Sequence, residues 1–308
     1  MKLSTNVLKG TAMEIKNYCI IYNPLSGNGK GKTEAEALSA KLNSAECIDI
    51  TTIEDYDIFF KAHSDCNVVI CGGDGTLNRF ANDTKNIEIF SPLFYCAGGS
   101  GNDFLRDIEG NEGDVIELGK YIKNLPVCTV NNKEYRFING IGYGIDGYCC
   151  EEGDKLRKIS DKPIDYTAIA IKGLLMCYKP TAAKVTVDGN TYSFKKVWIA
   201  PTMKGRFYGG GIMPTPDQNR LSDDGNVSVM VFHGTSRLRT LMIFPSLFKG
   251  DHIKHKKCIS IFSGKEITVE FDAPRPAQVD GETVLGVSKY TVSASISTKK
   301  PVANEIEV

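Results

Sequence analysis

Residues 68–76 read VVICGGDGT, and this stretch decides how the first half of the chain is organised. The apolar run at 68–70 predicts a short buried strand, and the glycine-rich turn at 72–75 ends it before apolar periodicity resumes at Leu77. Glycine backbones can take positive φ angles and approach a ligand closely, while the N-terminus of the following helix offers free N–H groups to an anion. The stretch therefore predicts a strand, an anion-binding turn and a helix.

Asp74 lies in the middle of this turn. A carboxylate repels phosphate unless a cation lies between them, and Mg²⁺ is the ion that carboxylates commonly hold beside phosphate groups. The turn therefore favours a Mg²⁺-nucleotide. The alternative is an ordinary strand-to-helix turn with an exposed aspartate.

The composition is that of a globular protein. A chain of 308 residues can form two domains with separate cores, and 42% hydrophobic with 24% charged residues is an ordinary balance. The 37 basic residues equal the 37 acidic ones, which argues against a dedicated nucleic-acid binder. We therefore expect no nucleic-acid partner.

The ten cysteines contain no Cys-x-x-Cys pair, and the sequence has no signal-peptide pattern. These features favour reduced thiols and a cytoplasmic location. The longest apolar runs are interrupted by Lys172 and Pro245, so none approaches the roughly 18 residues that a spanning helix needs. Any membrane contact is therefore expected at the surface of the bilayer.

Strand and helix patterns alternate through the first half, and a glycine-rich turn follows three of the strands, at 23–29, 72–75 and 98–103. This order predicts an α/β domain with a doubly wound, mainly parallel sheet and its ligands at the carboxyl ends of the strands. The predicted elements are strands at 18–22, 47–51, 68–70 and 92–96 and helices ending near 42, at 54–63 and at 77–84.

The first glycine turn is followed by Gly31, Lys32 and Thr33, which match the end of the phosphate-binding pattern G-x-x-x-x-G-K-[ST]. Ser26 occupies the position of the required first glycine, so the pattern fails there. A loop that holds phosphate through its backbone remains open.

Beyond about residue 125 the apolar pattern changes to an alternation of period two, clearest at 184–187, 190–194, 227–231 and 265–271. Asp188-Gly189 is a hairpin turn signal. We predict a mostly antiparallel β-sandwich with helical stretches near 151–178 and 235–249. The predicted boundaries are 14–137 for the α/β domain and 138–287 for the β-sandwich domain.

Six ordered motifs resemble the diacylglycerol kinase catalytic-domain family, in particular its soluble bacterial lipid kinases, over about residues 15–300. They are N-P-x-[SA]-G at 23–27, GGDGT at 72–76, a G-T-x-N-D-F-like element at 99–104 followed by Arg106, a junction motif at 139–146, a glycine cluster at 209–213 and Q-x-D-G-E at 278–282. Ala97 and Ser100 replace the usual proline and threonine, and the acidic segment at 216–225 is longer than in the family.

The resemblance implies an ATP- and Mg²⁺-dependent lipid kinase that converts diacylglycerol to phosphatidic acid. It also implies the two-domain fold shared with NAD kinases, with a nucleotide-binding first domain, a lipid-substrate second domain and the active site between them. The C-terminal segment 288–308 is expected to return to the first domain. A homodimer is left open.

The implied nucleotide site draws on all three glycine turns. Asp74 is assigned to Mg²⁺, directly or through water. Asn102 and Asp103 have helix capping as an alternative role, since both residue types are frequent at N-caps. The other residues assigned to the nucleotide or its neighbouring turns are Asn23, Ser26, Gly27, Gly73, Gly75, Thr76 and Ser100.

Phosphoryl transfer depends mainly on positioning and charge neutralisation, which explains glycine turns and carboxylates without an obvious nucleophile. Asp280 is the candidate general base, with Glu282 nearby, although Asp-Gly between alternating segments is also a standard hairpin turn. Asp146 is assigned to the metal or to the organisation of the cleft, with a salt bridge as the alternative.

In the family an acidic loop binds a structural Mg²⁺. The ligands predicted here are Asp217, Leu221 and Asp223, Asp224 is a further candidate, and a solvated turn is the alternative. Farther on, apolar residues at 241–248 precede a lysine cluster, which suits an anionic membrane surface but also a core helix beside solvated lysines. The lysines are Lys249, Lys254, Lys256 and Lys257.

Other outcomes remain open for the function. A kinase of another acceptor, namely a sphingoid base, another lipid alcohol or a soluble polyol, is one alternative. A nucleotide- or lipid-binding regulator without turnover is the alternative from a different class of function. Retention of Asp74, Asp280 and Glu282 argues against the regulator, because binding alone needs no base.

Overall fold

The computed structural model describes residues 17–43, 45–99, 101–160, 162 and 164–294. These residues form a five-stranded sheet followed by a ten-stranded sheet. None of the helices in this part of the chain has the length and apolar character to span a bilayer.

The first sheet has the strand order β2-β1-β3-β4-β5, in which the four leading strands are parallel and β5 runs antiparallel to β4. Alternate residues of its strands enter two core clusters, one on each face, as expected for a doubly wound sheet. Its strands are β1 (Tyr18–Tyr22), β2 (Glu46–Asp49), β3 (Asn67–Gly72), β4 (Leu93–Ala97) and β5 (Ile116–Glu117).

Helices cover both faces of this sheet. The side chain of Asp55 caps α3 by accepting from the amides of Asp57 and Ile58, and α4 buries Leu77 and Phe80 against the sheet. The helices are α1 (Ser26–Gly29), α2 (Gly31–Lys41), α3 (Tyr56–Ala62), α4 (Asp74–Asp83), α5 (Asp103–Asp107) and α6 (Gly119–Ile122).

The second sheet is antiparallel, with the order β13-β12-β11-β8-β14-β15-β6-β7, and the β9–β10 hairpin joins it through β14. Its alternating residues bury one large core cluster, which confirms the predicted antiparallel character. The strands are β6 (Val127–Val130), β7 (Lys133–Arg136), β8 (Gly140–Tyr143), β9 (Thr181–Val187), β10 (Asn190–Val197), β11 (Thr202–Met203), β12 (Val227–Phe232), β13 (Ile259–Gly264), β14 (Glu266–Val279) and β15 (Glu282–Ser293).

The helices of the second half pack around Trp198, which is 1% exposed in a separate apolar cluster. Trp198 is thus a core residue. The helices are α7 (Ile145–Arg157), α8 (Tyr166–Lys172) and α9 (Arg237–Ile243), with a π-helical turn at Gly173–Cys177 and 3₁₀ turns at Phe244–Lys249 and Asp251–Lys254. In the first half, a further 3₁₀ turn at Ile50–Thr52 follows β2.

Two features differ from the predicted domain boundaries. Strands β6 and β7, placed in the first domain from the sequence, pair within the second sheet. Residues 288–293 belong to β15 and pair with β14 and β6, so this part of the C-terminal segment does not return to the first sheet. Ala294 donates from its amide to the Lys265 carbonyl oxygen, and residues 295–308 lie outside the described residues.

Candidate active site

Three glycine turns meet at one edge of the first sheet, because they follow the parallel neighbours β1, β3 and β4. The approach is close enough to exclude side chains. A Cβ on Gly99 would lie 2.5 Å from the Cα of Gly73, and a Cβ on Gly27 would lie 3.0 Å from the carbonyl oxygen of Gly98. The glycines therefore allow the three turns to form one continuous backbone surface.

Asn23 joins the first turn to the second. Its Nδ2 donates to Thr76 Oγ1 at 3.2 Å, and its Oδ1 accepts from the Leu25 amide at 3.0 Å. The Ser26 hydroxyl donates to the Asn23 carbonyl oxygen at 2.7 Å. Gly27 and Asn28 both have left-handed backbones, with φ angles of 57° and 58°. The structure thus brings Asn23, Ser26, Gly27 and Thr76 together as predicted.

Helix α4 begins at Asp74, earlier than the predicted start near residue 77. Gly73 is its N-cap residue, and no side chain caps it. The first N–H groups of an α-helix have no partner within the helix, so this N-terminus can accept an anion. A Cβ on Gly75 would meet nothing within 4 Å, which leaves open space above the first turn.

The Asp74 carboxylate caps the neighbouring helix α5. It accepts from the amides of Asp103 and Phe104 at 2.9 and 2.8 Å. Asn102 takes the N-cap position with φ 50°, but its side chain accepts from the Gly99 amide at 3.1 Å instead of capping α5. The sequence offered helix capping as the alternative role of Asn102. Its side chain does not cap α5 in the structure.

Asp103 links the third turn to the second half of the chain. Its carboxylate accepts from Arg106 Nη1 at 3.0 Å and from the Gly210 amide at 2.7 Å. The side chain is buried, and burial raises the pKa of Asp103 to about 7, with the nearby Asp74 adding to the shift. A Cβ on Gly101 would lie 3.4 Å from Asp74 Oδ2 and 3.9 Å from Asp103 Oδ2, so both carboxylates face the same small space.

Asn139 bridges the two predicted carboxylates of the site. Its Nδ2 donates to Asp74 Oδ1 at 3.2 Å, while its backbone amide donates to Asp280 Oδ1 at 2.9 Å. Asn78, which lies on α4 one turn after Asp74, donates to Asp280 Oδ2 at 2.7 Å. The two halves of the chain therefore meet at this point.

Asp280 is the first residue of the turn that joins β14 to β15, and both Asp280 and Gly281 have positive φ angles, 45° and 94°. This is the hairpin geometry that Asp-Gly favours. The Asp280 carboxylate accepts from four N–H groups, those of Asn78 Nδ2 and the amides of Ile138, Asn139 and Gly140.

Four donors occupy the hydrogen-bonding positions of a carboxylate, so Asp280 has no free lone pair to receive a substrate proton. Burial raises the pKa of Asp280 to about 6, against the lowering effect of these hydrogen bonds, so the group is ionised at neutral pH. Glu282 is exposed at the start of β15, and no hydrogen bond or ion pair to another described residue holds its carboxylate.

A buried ion pair ties α5 to the acidic loop. Arg220 donates through Nε to Asp107, lies 4.6 Å above the Phe104 ring and donates through Nη2 to Asn139 Oδ1 at 3.0 Å. Arg206 Nε also donates to Asp107, at 2.9 Å. Arg220 can only donate, so it fixes the amide of Asn139 with its oxygen toward Arg220 and its nitrogen toward Asp74.

Asp146 lies in the first turn of α7. Its Oδ2 accepts from the Tyr208 hydroxyl at 3.1 Å, and its Oδ1 is buried with no hydrogen-bond partner among the described residues. The alternative salt bridge is not found among the described residues. Gln278 supports the Asp280 hairpin, since its Oε1 accepts from the Gly281 amide at 2.6 Å.

The acidic loop is exposed at Asp217, Leu221 and Asp223. In the part of the chain that the structure describes, these residues do not belong to a group of three or more acidic, histidine or cysteine ligands. Asp224 accepts from Ser222 and Asn226 within the loop. The structural Mg²⁺ stays a prediction.

Ser100, which the resemblance assigns to the nucleotide site, lies outside the described residues.

Several polar residues of the site were missed from the sequence. Asn78 follows Asp74 at helical i, i+4 spacing, a signal that places both on one face of α4. Asn139 opens the junction motif at 139–146, but the motif does not indicate its contacts with the two carboxylates. Arg220 and Asp107 have no local signal, because their contact joins residues 113 positions apart.

Comparison with known proteins gives two matching families. Residues 17–129 match the diacylglycerol kinase catalytic domain, and residues 139–297, just over half the chain, match the YegS C-terminal NAD kinase beta sandwich-like domain. A diacylglycerol kinase of Mycobacterium tuberculosis (strain CDC 1551 / Oshkosh) is 24% identical over 300 residues, covering 86% of this chain and 92% of that protein.

Solved structures share the fold. A diacylglycerol kinase from Bacillus anthracis str. Sterne has a TM-score of 0.56 at 20% identity, covering 90% of this chain and 94% of that one. A second crystal structure from the same organism reaches a TM-score of 0.65 at 19% identity, with 93% and 95% coverage. The chain belongs to the diacylglycerol kinase catalytic-domain family of lipid kinases, with a C-terminal domain of the YegS type.

Proposed function

We propose that this protein transfers the terminal phosphoryl group of ATP to the hydroxyl of diacylglycerol at a membrane surface, with Mg²⁺. The observation that carries the proposal is the double contact of Asn139 with Asp74 and Asp280. This contact holds the glycine turn at 72–75 of the first half against the Asp280 hairpin of the second half, which supports a shared site. Phosphoryl transfer needs this combination of positioned phosphates and charged groups.

The residues around α4 fit a nucleotide. The uncapped N-terminus of α4, the open space at Gly75 and the left-handed turn at Gly27–Asn28 suit phosphate oxygens. Glu34 lies beside them, and its Oε2 is buried with no partner among the described residues. A carboxylate accepts hydrogen bonds but repels phosphate, so Glu34 suits a hydroxyl or amino group of the nucleoside.

The donor set of Asp74 and Asp103 fits Mg²⁺, because carboxylate oxygens are the ligands this ion prefers in proteins. Bound Mg²⁺ would neutralise charge on the phosphates. Among the protein's own groups, Asn139 holds Asp74 in place through its amide nitrogen, and Gly210 holds Asp103.

We propose that Glu282 accepts the proton of the lipid hydroxyl and that Asp280 holds the two halves together. The basis is the contrast between the four donors on Asp280 and the unbound, exposed carboxylate of Glu282. This revises the assignment of Asp280 as the base, because a carboxylate whose lone pairs are all engaged cannot accept a proton without first losing a hydrogen bond.

Membrane contact is assigned to an apolar rim formed by the π-helical turn and α9. Met176, Leu238 and Met242 are 68%, 69% and 74% exposed, and Leu175 lies beside them. Arg237 Nη1 joins the two segments by donating to the Leu174 carbonyl oxygen at 2.9 Å. The exposed lysines at 249, 254, 256 and 257 follow in the chain. Exposed apolar groups near basic ones suit an anionic bilayer.

Replacement of Met242 by aspartate should weaken binding to anionic vesicles, because it puts a charge on the apolar rim. Charge reversal of Lys254, Lys256 and Lys257 should have the same effect, each lysine contributing on the order of 1 kcal/mol. Vesicle flotation measures both, and Ile58→Asp is the matched control, since Ile58 is also exposed but lies on α3. Equal flotation of all variants would remove the rim from the proposal.

The activity is tested by incubating the protein with labelled ATP, Mg²⁺ and a panel of lipids in vesicles. Labelled phosphatidic acid is the expected product. Label only in a sphingoid base, another lipid alcohol or a soluble polyol would change the acceptor. Bound ATP without any labelled product would overturn the kinase proposal.

A further inference from the structure

A second cluster of ligating side chains lies at the opposite edge of the first sheet from the glycine turns. Cys19 is near the start of β1, Glu46 is the first residue of β2, and His63 follows α3 ahead of β3. Cys19 and Glu46 are register partners in the parallel β1–β2 pair. The thiol sulfur, a carboxylate oxygen and a ring nitrogen of the three lie within 4.8 Å of one another.

The orientation of His63 suits a metal ligand. Its Nδ1 lies 2.8 Å from the Phe59 carbonyl oxygen, and a carbonyl can only accept, so Nδ1 carries the hydrogen. This leaves the lone pair of Nε2 toward Glu46 Oε2, 3.7 Å away, a separation too long for a hydrogen bond. The ring also stacks on Phe59 with centroids 4.3 Å apart, which holds its plane. A backbone carbonyl on the second ring nitrogen is the usual support of a metal-bound histidine.

We propose that Cys19, Glu46 and His63 bind one Zn²⁺ ion. Thiolate, imidazole and carboxylate are the three ligand types that zinc uses in proteins, at about 2.0–2.3 Å. Ligand atoms of a tetrahedral site then lie roughly 3.3–3.7 Å apart, close to the Glu46–His63 separation of 3.7 Å. Only small side-chain movements are needed to close the site.

Binding involves no redox change. The S–H bond of Cys19 breaks, its proton passes to solvent, and a Zn–S bond forms. The Nε2 lone pair of His63 and an oxygen of Glu46 complete three protein ligands, and water takes the fourth position. Glu46 is exposed, which gives the ion a path from solvent. Because β1, β2 and the end of α3 would be joined by one ion, Zn²⁺ should stabilise the first sheet.

The site is tested on the full chain after treatment with EDTA and dialysis, by titration with Co²⁺ and then Zn²⁺. Tetrahedral Co²⁺ with a thiolate ligand gives intense visible bands and a thiolate-to-cobalt charge-transfer band, which Zn²⁺ should displace. One Zn²⁺ per chain and a higher Tm with Zn²⁺ are expected. His63→Gln and Glu46→Gln should each weaken binding by at least about tenfold.

These variants leave the buried Cys19 in place, so a folding defect at that position cannot obscure the result. His255→Gln is the matched control, since His255 also lies near a buried cysteine, Cys258, and should bind Zn²⁺ as the wild type does. Equal binding by wild type and His63→Gln, loss of binding in His255→Gln, or no charge-transfer band would overturn the site.

Discussion

Asp280 contacts both halves of the chain through a single carboxylate, since Asn78 comes from α4 and the Ile138, Asn139 and Gly140 amides come from the segment that leads into β8. In Asp280→Asn, an NH₂ group replaces one of the two carboxylate oxygens, so the N–H groups that donated to that oxygen lose their acceptor. Each buried donor left without an acceptor costs about 1–3 kcal/mol. We expect Asp280→Asn to lower both Tm and turnover, as measured by thermal unfolding and the labelled-ATP assay.

Glu282→Gln should behave differently. Glu282 is exposed, and its carboxylate makes no hydrogen bond to another described residue, so the substitution should not change Tm or ATP affinity. Turnover should fall by about 10²–10⁴-fold if Glu282 is the general base. The reverse pattern, an active Glu282→Gln and a stable but inactive Asp280→Asn, would return the base assignment to Asp280.

The glycine turns between strands and helices contain two kinds of glycine: some allow the turns to pack closely, and others leave space for a ligand. Gly99→Ala should lower Tm, because its Cβ would lie 2.5 Å from the Gly73 backbone. Gly75→Ala should leave Tm unchanged or raise it, since the position is helical and open, and alanine is the better helix former by about 1 kcal/mol. It should nevertheless weaken ATP binding by filling the space for phosphate.

Calorimetric titration with ATP and thermal unfolding measure these two effects. Full ATP affinity in Gly75→Ala would show that phosphate does not bind at the start of α4. An unchanged Tm in Gly99→Ala would show that the turns are not packed as closely as described.

Most elements could be predicted because their signals are local. Strand β1 has the predicted bounds, and the Asp188-Gly189 turn has the expected positive φ angles. Strand β2 ends earlier than predicted because Asp49 accepts from the Thr51 amide at 2.8 Å and starts a 3₁₀ turn. The start of α4 was missed because its first turn, Asp74-Gly75-Thr76, has no apolar side chain to reveal the helical period.

At the scale of the whole molecule, the Arg220–Asp107 ion pair links the two halves, and the side chains are 5% and 2% exposed. Arg220→Met should destabilise the protein by up to about 3–5 kcal/mol, because it leaves the buried Asp107 carboxylate with the partly exposed Arg206 as its remaining charged partner. It should also reduce turnover, since Asn139 loses the donor that sets its amide orientation.

Urea unfolding of Arg220→Met, Asp107→Leu and the double variant measures the coupling. The double variant should regain part of the stability lost in either single variant, because neither Asp107 nor Arg220 is then left buried without the other, but it should not regain the turnover. Equal stability of Arg220→Met and the wild type would show that the ion pair does not hold the halves together.

The stability should also depend on pH through Asp146. Burial raises the pKa of Asp146 from 3.8 to about 6 in the folded protein. Between those values the folded state binds a proton that the unfolded state releases, so the free energy of unfolding falls as pH rises through about 4 to 6. Asp146→Asn should reduce this slope, while Asp217→Asn, at an exposed carboxylate, should not; equal slopes in all three proteins would contradict the burial argument.

The parts of the site that sequence motifs mark are the turns, since each turn is contiguous in the chain. The parts that were missed, Asn78, Asp107 and Arg220, act through contacts between residues far apart in the chain. The helical spacing from Asp74 places Asn78 on the same face of α4, but no local pattern indicates its contact with Asp280 or the contact between Asp107 and Arg220. The role of Asp280 also could not be predicted from local sequence alone. Its motif predicted its position at the junction, but only the surrounding donors indicate what its carboxylate can do.

We propose that the two halves of the chain converge on one metal-bridged triphosphate. A crystal structure with a non-hydrolysable ATP analogue and Mg²⁺ would show whether they do. We expect phosphates at the start of α4, the ion beside Asp74, and Asn139 or Gly210 of the second half facing the same site. An analogue bound away from α4, with no contribution from the second half, would contradict it.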